Sequence, residues 1–140
     1  MAIIHKLTSN HKNDLTWDGA RTRSYSLENG KVIESWLIGK AEKAENFALR
    51  YYKLGLGMNT RKECHAHDHG IIIMHGKALI ILENEQIEAE MGDVVYISSD
   101  EEHQLRNIGD ENLGFMCIIP AKRMKNNNEV WAETGLFEDE

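Results

Sequence analysis

The chain has 140 residues, enough for one domain with a modest core, and its 41% apolar and 28% charged content is typical of globular proteins. The formal net charge of −7 argues against a general nucleic-acid binder, which would need a basic surface. No apolar run approaches the length of a membrane span and the first residues lack the apolar core of a signal peptide, so we expect a cytoplasmic protein without membrane contacts.

The first part of the chain, residues 1–30, is polar and mixed. Turn signals stand at Asp18-Gly19 and Asn29-Gly30, and we interpret the segment as an N-terminal extension. Residues 121–140 are again polar, and the last twelve residues hold five acidic and no basic side chains. We expect this acidic C-terminal tail to form a short helix or to stay loose.

Between these segments, residues 31–120 form a series of short runs rich in β-branched and aromatic residues, separated by glycine and asparagine turns. The predicted strands are 32–38, 47–54, 71–74, 78–82, 86–90, 94–97, 103–107 and 115–119. No stretch of this region keeps a helical period, so the pattern predicts an all-β sandwich or barrel.

The richest concentration of chemistry-bearing side chains is the segment 63–69, and a further histidine follows at His103. Side chains alternate between two faces in an extended segment. One face of this segment therefore carries four imidazole or carboxylate groups: Glu63, His65, His67 and His69. Imidazole and carboxylate are the side chains that bind divalent metals at neutral pH. The segment therefore predicts a metal site.

Two spacings place these residues in a wider pattern. The first runs Gly57, five residues, Glu63-x-His65, three residues, His69, six residues, Gly76. The second runs Gly92, five residues, Ser98-x-Asp100, two residues, His103, three residues, Asn107. Both spacings fit the two motifs of the cupin superfamily without a gap, so the chain resembles that family from Gly57 to Ile119.

The resemblance implies a single-domain cupin jelly-roll barrel, also called a double-stranded β-helix, with Glu63, His65, His69 and His103 as metal ligands. Glu63 stands where the family usually has its first histidine, and His69 where it usually has glutamate. The ligand set therefore remains three imidazoles and one carboxylate. In the second motif, Ser98 and Asp100 replace proline and glycine, which affects a turn rather than chemistry.

The fragment from Glu63 to Gly76 also resembles the ureidoglycine aminohydrolases, manganese-dependent cupins with one glutamate and two histidines at this spacing. Those proteins contain two cupin units, so the likeness supports the positions of Glu63, His65 and His69 more than it supports that substrate. An alternative alignment remains open, in which His65 and His67 form the paired histidines and His69 lies behind them. His67 is therefore an alternative ligand.

Three nitrogens and one oxygen suit one divalent transition metal such as Mn, Fe, Ni or Zn, with positions left open for water or substrate. Arg50 and Tyr52 share one face of a predicted strand and are candidate catalytic residues, because an inward arginine would bind a substrate carboxylate. We expect Tyr96, Phe115 and Cys117 to line the barrel wall. We expect Cys64 to pack in the core and His75 to lie on the surface.

The leading hypothesis is a small metalloenzyme acting on a small polar or carboxylated metabolite, with dioxygenase, isomerase and hydrolase chemistry all open. The alternative is a non-catalytic small-molecule-binding or sensor cupin, in which the metal is structural. A third hypothesis is a partner-binding protein whose barrel site is vestigial. The family resemblance also implies a homodimer, for which residues 25–40 could supply a strand.

Overall fold

A computed structural model describes residues 1–11, 14–27 and 30–137. Within those residues the regular structure is all β, and no helix is long and apolar enough to cross a membrane. The first five strands are β1 (Leu7–His11), β2 (Asp14–Trp17), β3 (Arg21–Leu27), β4 (Gly30–Ile38) and β5 (Phe47–Leu54). The next four are β6 (His69–His75), β7 (Lys77–Leu82), β8 (Gln86–Glu90) and β9 (Val94–Ile97). The last four are β10 (His103–Asn107), β11 (Leu113–Pro120), β12 (Lys122–Lys125) and β13 (Asn128–Trp131).

Two antiparallel sheets form the barrel. The larger has six strands in the order β3-β4-β5-β11-β6-β9, and the smaller has three in the order β10-β7-β8. Since the chain passes from one sheet to the other after β6, β8, β9 and β10, the arrangement is the predicted double-stranded β-helix. All eight predicted strands are present, with ends that differ by at most two residues.

The core lies between the two sheets and follows the period of two that the strands require. Along β6 the side chains of Ile71 and Ile73 are buried, whereas Gly70, Ile72 and Met74 are only partly covered. Inward residues of the facing sheet complete the core, among them Ile80, Leu105 and Ala89. This alternation fixes the register of β6, because a slip by one residue would bring its other face inward.

The N-terminal segment contributes to the sheet, which differs from the expected extension. β3 pairs with β4 along its whole length, so the barrel sheet begins at Arg21 rather than at residue 31. The turn signal at Asp18-Gly19 is a turn, whereas the one at Asn29-Gly30 lies partly outside the described residues. The hairpin β1–β2 lies over the outer face of the sheet, where Trp17 packs edge-on against Tyr51 at 5.1 Å between ring centroids.

The C-terminal segment forms a β-hairpin, so the expectation of a helix or a loose tail is wrong for residues 121–137, and residues 138–140 lie outside the described part. β12 and β13 pair through a two-residue connection, Asn126 and Asn127, whose φ angles of 51° and 67° are both positive. Positive φ at both central residues is what the tight turn of a hairpin requires, and asparagine tolerates it better than most residues. This hairpin is followed by turns that reach Phe137.

The proposed dimer strand at residues 25–40 stays a prediction, and the sheet limits which part of that segment could pair. Most of the 25–40 segment is β4, which is hydrogen-bonded to β3 on one side and to β5 on the other. Both edges of β4 are therefore already paired within the chain, and a strand without a free edge cannot add a partner strand. Among the described residues, the strands at the edges of the larger sheet are β3, which holds residues 25–27 of that segment, and β9.

Candidate metal centre and adjoining chambers

The segment 63–69 alternates between two faces, as the sequence predicts. Exposure alternates residue by residue, with Glu63, His65, His67 and His69 the more buried members. Glu63 pairs with His103 at the start of β10 through two backbone hydrogen bonds. The Glu63 NH donates to the His103 carbonyl oxygen at 3.0 Å, and the His103 NH donates to the Glu63 carbonyl oxygen at 2.9 Å. This pairing brings the histidine of the second motif beside those of the first.

Three imidazoles meet in the barrel. One ligand nitrogen from each of His65, His69 and His103 lies within 4.8 Å of the others. Their ring centroids are 5.2 Å apart for His65 and His69, 4.7 Å for His69 and His103, and 5.5 Å for His65 and His103. Nitrogens that converge in this way can coordinate one divalent ion after small side-chain rotations.

His69 is the most constrained of the three. Its Nε2 atom is buried and has no hydrogen-bond partner within the described part of the chain, whereas its Nδ1 lies 3.4 Å from Cys117 Sγ. Burial, helped by the positive charge that His103 and His67 can carry, lowers the pKa of His69 to about 3. The ring is therefore neutral at neutral pH, which is the form that binds metals. A buried polar atom without a partner is costly, and coordination to a metal would satisfy it, so the residues present fit such an ion.

Glu63 and His67 flank this group of three. The Glu63 carboxylate lies 2.5 Å from His65 Nε2. His67 stacks on His65 with ring centroids 4.9 Å apart, and its Nδ1 lies 3.2 Å from the carbonyl oxygen of Asp68. The geometry thus brings together the histidines of the gapless alignment, and the roles of Glu63 and His67 as ligands stay predictions.

A small cavity of about 50 Å³ opens on the core side of the histidines, and both candidate catalytic residues line it. Arg50 donates to the Tyr52 hydroxyl oxygen at 2.6 Å and to Cys117 Sγ at 3.2 Å. Tyr52 in turn stacks on Phe115 at 5.1 Å, and burial raises its pKa well above the usual value, so the phenol stays protonated. Phe115 and Cys117 line the same cavity, as expected for wall residues.

A second chamber, of about 190 Å³, lies on the other side of the histidines toward the C-terminal hairpin, and we call it the hairpin-side chamber. Arg50 borders both spaces. Lys122, Arg123 and Leu136 come from the C-terminal segment, for which the sequence predicted only a polar tail. The Asn126-Asn127 pair, two residues of a type that tolerates positive φ, is the signal that could have revealed this hairpin.

A family comparison identifies the fold. The model of the cupin domain family matches residues 53–119, a stretch that contains both motifs. Residues 53–119 thus form a cupin domain. The matched region includes His65, His69 and His103, and it begins in β5 and ends in β11.

The chain is similar to proteins of Rhodospirillum rubrum and Rhodopseudomonas palustris. It is 35% identical over 89 residues to the 1-methylthio-D-xylulose 5-phosphate methylsulfurylase of Rhodospirillum rubrum, a match that covers 64% of this chain and only 57% of that protein. A cupin 2 conserved barrel domain protein from Rhodopseudomonas palustris superposes with a TM-score of 0.73 at 25% identity, over 88% of this chain and 83% of that one. A cupin-2 domain from R. rubrum gives 0.72 at 28% identity, over 81% and 78%.

Three side chains of the cupin domain lie elsewhere than expected. Cys64 is exposed, because the residues between the ligands face solvent rather than a second core. Tyr96 is 68% exposed on the outer face, where its hydroxyl donates to Asp68 Oδ2 at 2.7 Å. His75 is buried instead of lying on the surface, since the β1–β2 hairpin covers that side of the sheet and Tyr51 forms a hydrogen bond with its Nε2.

Proposed function

We propose that this cupin is a metal-dependent enzyme that acts on a small polar or carboxylated metabolite in the barrel. The observation that carries the proposal is the convergence of His65, His69 and His103, one of which has a buried nitrogen without a partner in the described residues. Glu63 would add the carboxylate of the set. A divalent ion such as Mn, Fe, Ni or Zn held there would supply Lewis acidity or an activated water.

The side chains beside the histidines suit the binding of an anionic group. Arg50 is held in place by Tyr52 and Cys117 and borders the spaces on both sides of the site. A guanidinium with a fixed direction binds carboxylate or phosphate oxygens through paired hydrogen bonds. The name of the R. rubrum relative points to a phosphorylated sugar derivative as one member of this substrate class.

A non-catalytic role as a ligand-binding or sensor cupin is the second candidate. It is favoured by the position of the C-terminal segment, whose Ala132 and Leu136 close one side of the hairpin-side chamber. A chamber covered on one side slows the release of a ligand, which suits binding more than turnover. Binding of a ligand to the metal-loaded protein without chemical change in that ligand would support this candidate over the enzyme.

The cellular setting forms part of the same proposal. Both cysteines are free thiols, one exposed and one buried, which suits the reducing cytoplasm. We also propose that the chain forms a homodimer.

Metal content of the untagged protein, measured by elemental mass spectrometry, tests the metal site. We expect about one divalent metal ion per chain, abolished in His69→Ala and weakened about 10–100-fold in affinity in Glu63→Gln. His5→Ala is the matched control, because His5 pairs with Glu42 away from the site and its loss should leave metal content unchanged. Equal metal content in His69→Ala and His5→Ala, or no metal retained after reconstitution, would contradict the proposal.

A further inference from the structure

The hairpin-side chamber has a charge that is opposite to that of the whole chain. The protein carries a formal net charge of −7, yet three cationic residues line this chamber: Arg50, Lys122 and Arg123. Glu63 is the one carboxylate among the described residues that line it, and that carboxylate lies against His65. A basic concavity in an acidic protein attracts anions from solution.

Two of the three cations have no carboxylate partner within the described residues. Arg50 donates to a phenol and a thiol, and its Nε is buried without a partner. Arg123 donates from Nε to the carbonyl oxygen of Ala132 at 3.3 Å and from Nη2 to that of Thr134 at 2.8 Å. Carbonyl groups orient a guanidinium but do not neutralise it, so both charges remain available to an anion.

Lys122 is paired only loosely. Its Nζ is 3.8 Å from Glu129 Oε1 and 4.6 Å from the centre of the Trp131 ring, and both lysine and glutamate are substantially exposed. An exposed pair at this distance contributes little, so the ammonium can turn to a better anion at small cost.

We propose that the hairpin-side chamber binds a phosphate monoester, whose dianion lies among Arg50, Lys122 and Arg123 while the rest of the molecule faces the imidazoles. A phosphate group brings about two negative charges and three acceptor oxygens, which matches three cations better than a carboxylate does. The C-terminal hairpin is then a specificity element, since it supplies two of the three cations. This inference narrows the substrate class of the proposed function, and it rests on that function for the role of the imidazoles.

Titration of the metal-free, full-length protein with inorganic phosphate at constant ionic strength, followed by calorimetry, tests the chamber. We expect saturable binding that weakens at least about tenfold in Arg50→Lys, because an ammonium cannot make paired hydrogen bonds. Lys122→Gln should weaken it about threefold or more. Lys125→Gln is the matched control, since Lys125 lies on the same strand but does not border the chamber, and it should change the affinity by less than about twofold.

Absence of saturable phosphate binding would overturn the proposal, as would equal weakening by Lys122→Gln and Lys125→Gln, which would show general attraction to a basic strand. Displacement of phosphate by equimolar acetate would also overturn it, because the chamber would then prefer carboxylates. The two proposals fail separately. Phosphate binding in a protein that never holds metal refutes the metalloenzyme alone, and metal binding without phosphate binding refutes the chamber alone.

Discussion

Asn107 joins two turns of the barrel, the one after β5 and the one between β10 and β11, through one buried carboxamide. The side chain is 2% exposed, and its Nδ2 lies 2.9–3.1 Å from the carbonyl oxygens of Leu54, Gly55 and Glu111. Its Oδ1 accepts a hydrogen bond from the Gly109 backbone at 3.0 Å. The asparagine that ends the second motif is thus a structural residue, and it fixes the strand that carries His103.

Replacement of this carboxamide should destabilise the fold. We expect Asn107→Ala to lower the free energy of unfolding by about 2–4 kcal/mol, because several buried backbone groups lose their partner at once. Urea denaturation followed by circular dichroism measures the loss. Asn59→Ala is the comparison, since Asn59 makes one exposed hydrogen bond to Arg106 and should cost less than about 1 kcal/mol. Equal losses in the two variants would contradict the role given to Asn107.

Asp100 of the second motif adopts a left-handed backbone conformation although it replaces the usual glycine. It stands where cupins usually have glycine, and its φ of 63° lies in the left-handed region that favours glycine. Asp is one of the few other residues that adopt this conformation at modest cost. Its backbone NH donates to the His65 carbonyl oxygen at 2.6 Å, so the turn supports the ligand segment directly.

At the scale of elements, the segment after β13 is attached to the barrel by a buried carboxylate. Glu133 is 1% exposed, accepts a hydrogen bond from the Lys40 backbone at 2.5 Å and pairs with Arg21 Nη1 at 3.1 Å. Arg21 also lies 4.2 Å from the centre of the Phe137 ring. Gly39 leaves the room for this carboxylate, because a Cβ there would lie 2.6 Å from Glu133 Oε1. These contacts hold Ala132 and Leu136 at the chamber.

We expect Glu133→Gln to lower the free energy of unfolding by about 2–3 kcal/mol, because it leaves Arg21 beside an uncharged partner. Hydrogen–deuterium exchange should become faster in residues 132–137, and Gly39→Ala should reproduce that effect by displacing the carboxylate. Glu129→Gln, which removes an exposed charge from the same hairpin, should change stability by less than about 0.5 kcal/mol. Unchanged exchange in the Glu133 variant would mean that the segment is held by other contacts.

At the scale of the whole molecule, one outer face of the larger sheet exposes apolar side chains. Val94 and Tyr96 of β9 are 75% and 68% exposed, and Ile118 of β11 lies across Gly70 from Tyr96. The β1–β2 hairpin covers another part of this face at Tyr51, but these three side chains stay uncovered. Contiguous apolar surface of this kind is typical of protein interfaces.

We expect multi-angle light scattering to give about twice the 16.0 kDa of the chain, as for a symmetric dimer. A Val94→Asp, Ile118→Asp double variant should be monomeric, because it places charges in the apolar interface. Ile87→Asp is the control, since Ile87 is a similarly exposed apolar residue of the smaller sheet and its replacement should leave the mass unchanged. A monomeric wild-type protein would refute the dimer, and a dimeric double variant would refute this interface.

The sequence by itself determined the barrel strands and the grouping of histidines, because both depend on local patterns. Buried and exposed side chains alternate along β6 and β10 because successive side chains of a strand point to opposite faces. The same alternation over residues 63–69 is enough to place His65 and His69 on one face. The two motif spacings located His103 because short turns leave the chain few ways to connect the strands that carry the ligands.

Only the tertiary structure decided which surfaces these elements cover. His75 is buried and Tyr96 exposed because the β1–β2 hairpin lies over one part of the sheet and leaves another part open. The same reason explains why Lys122 and Arg123 border a chamber beside the histidines, although 53 positions separate Lys122 from His69 in the sequence. Contacts between distant segments depend on how whole faces pack, and neither residue type nor spacing encodes that packing locally.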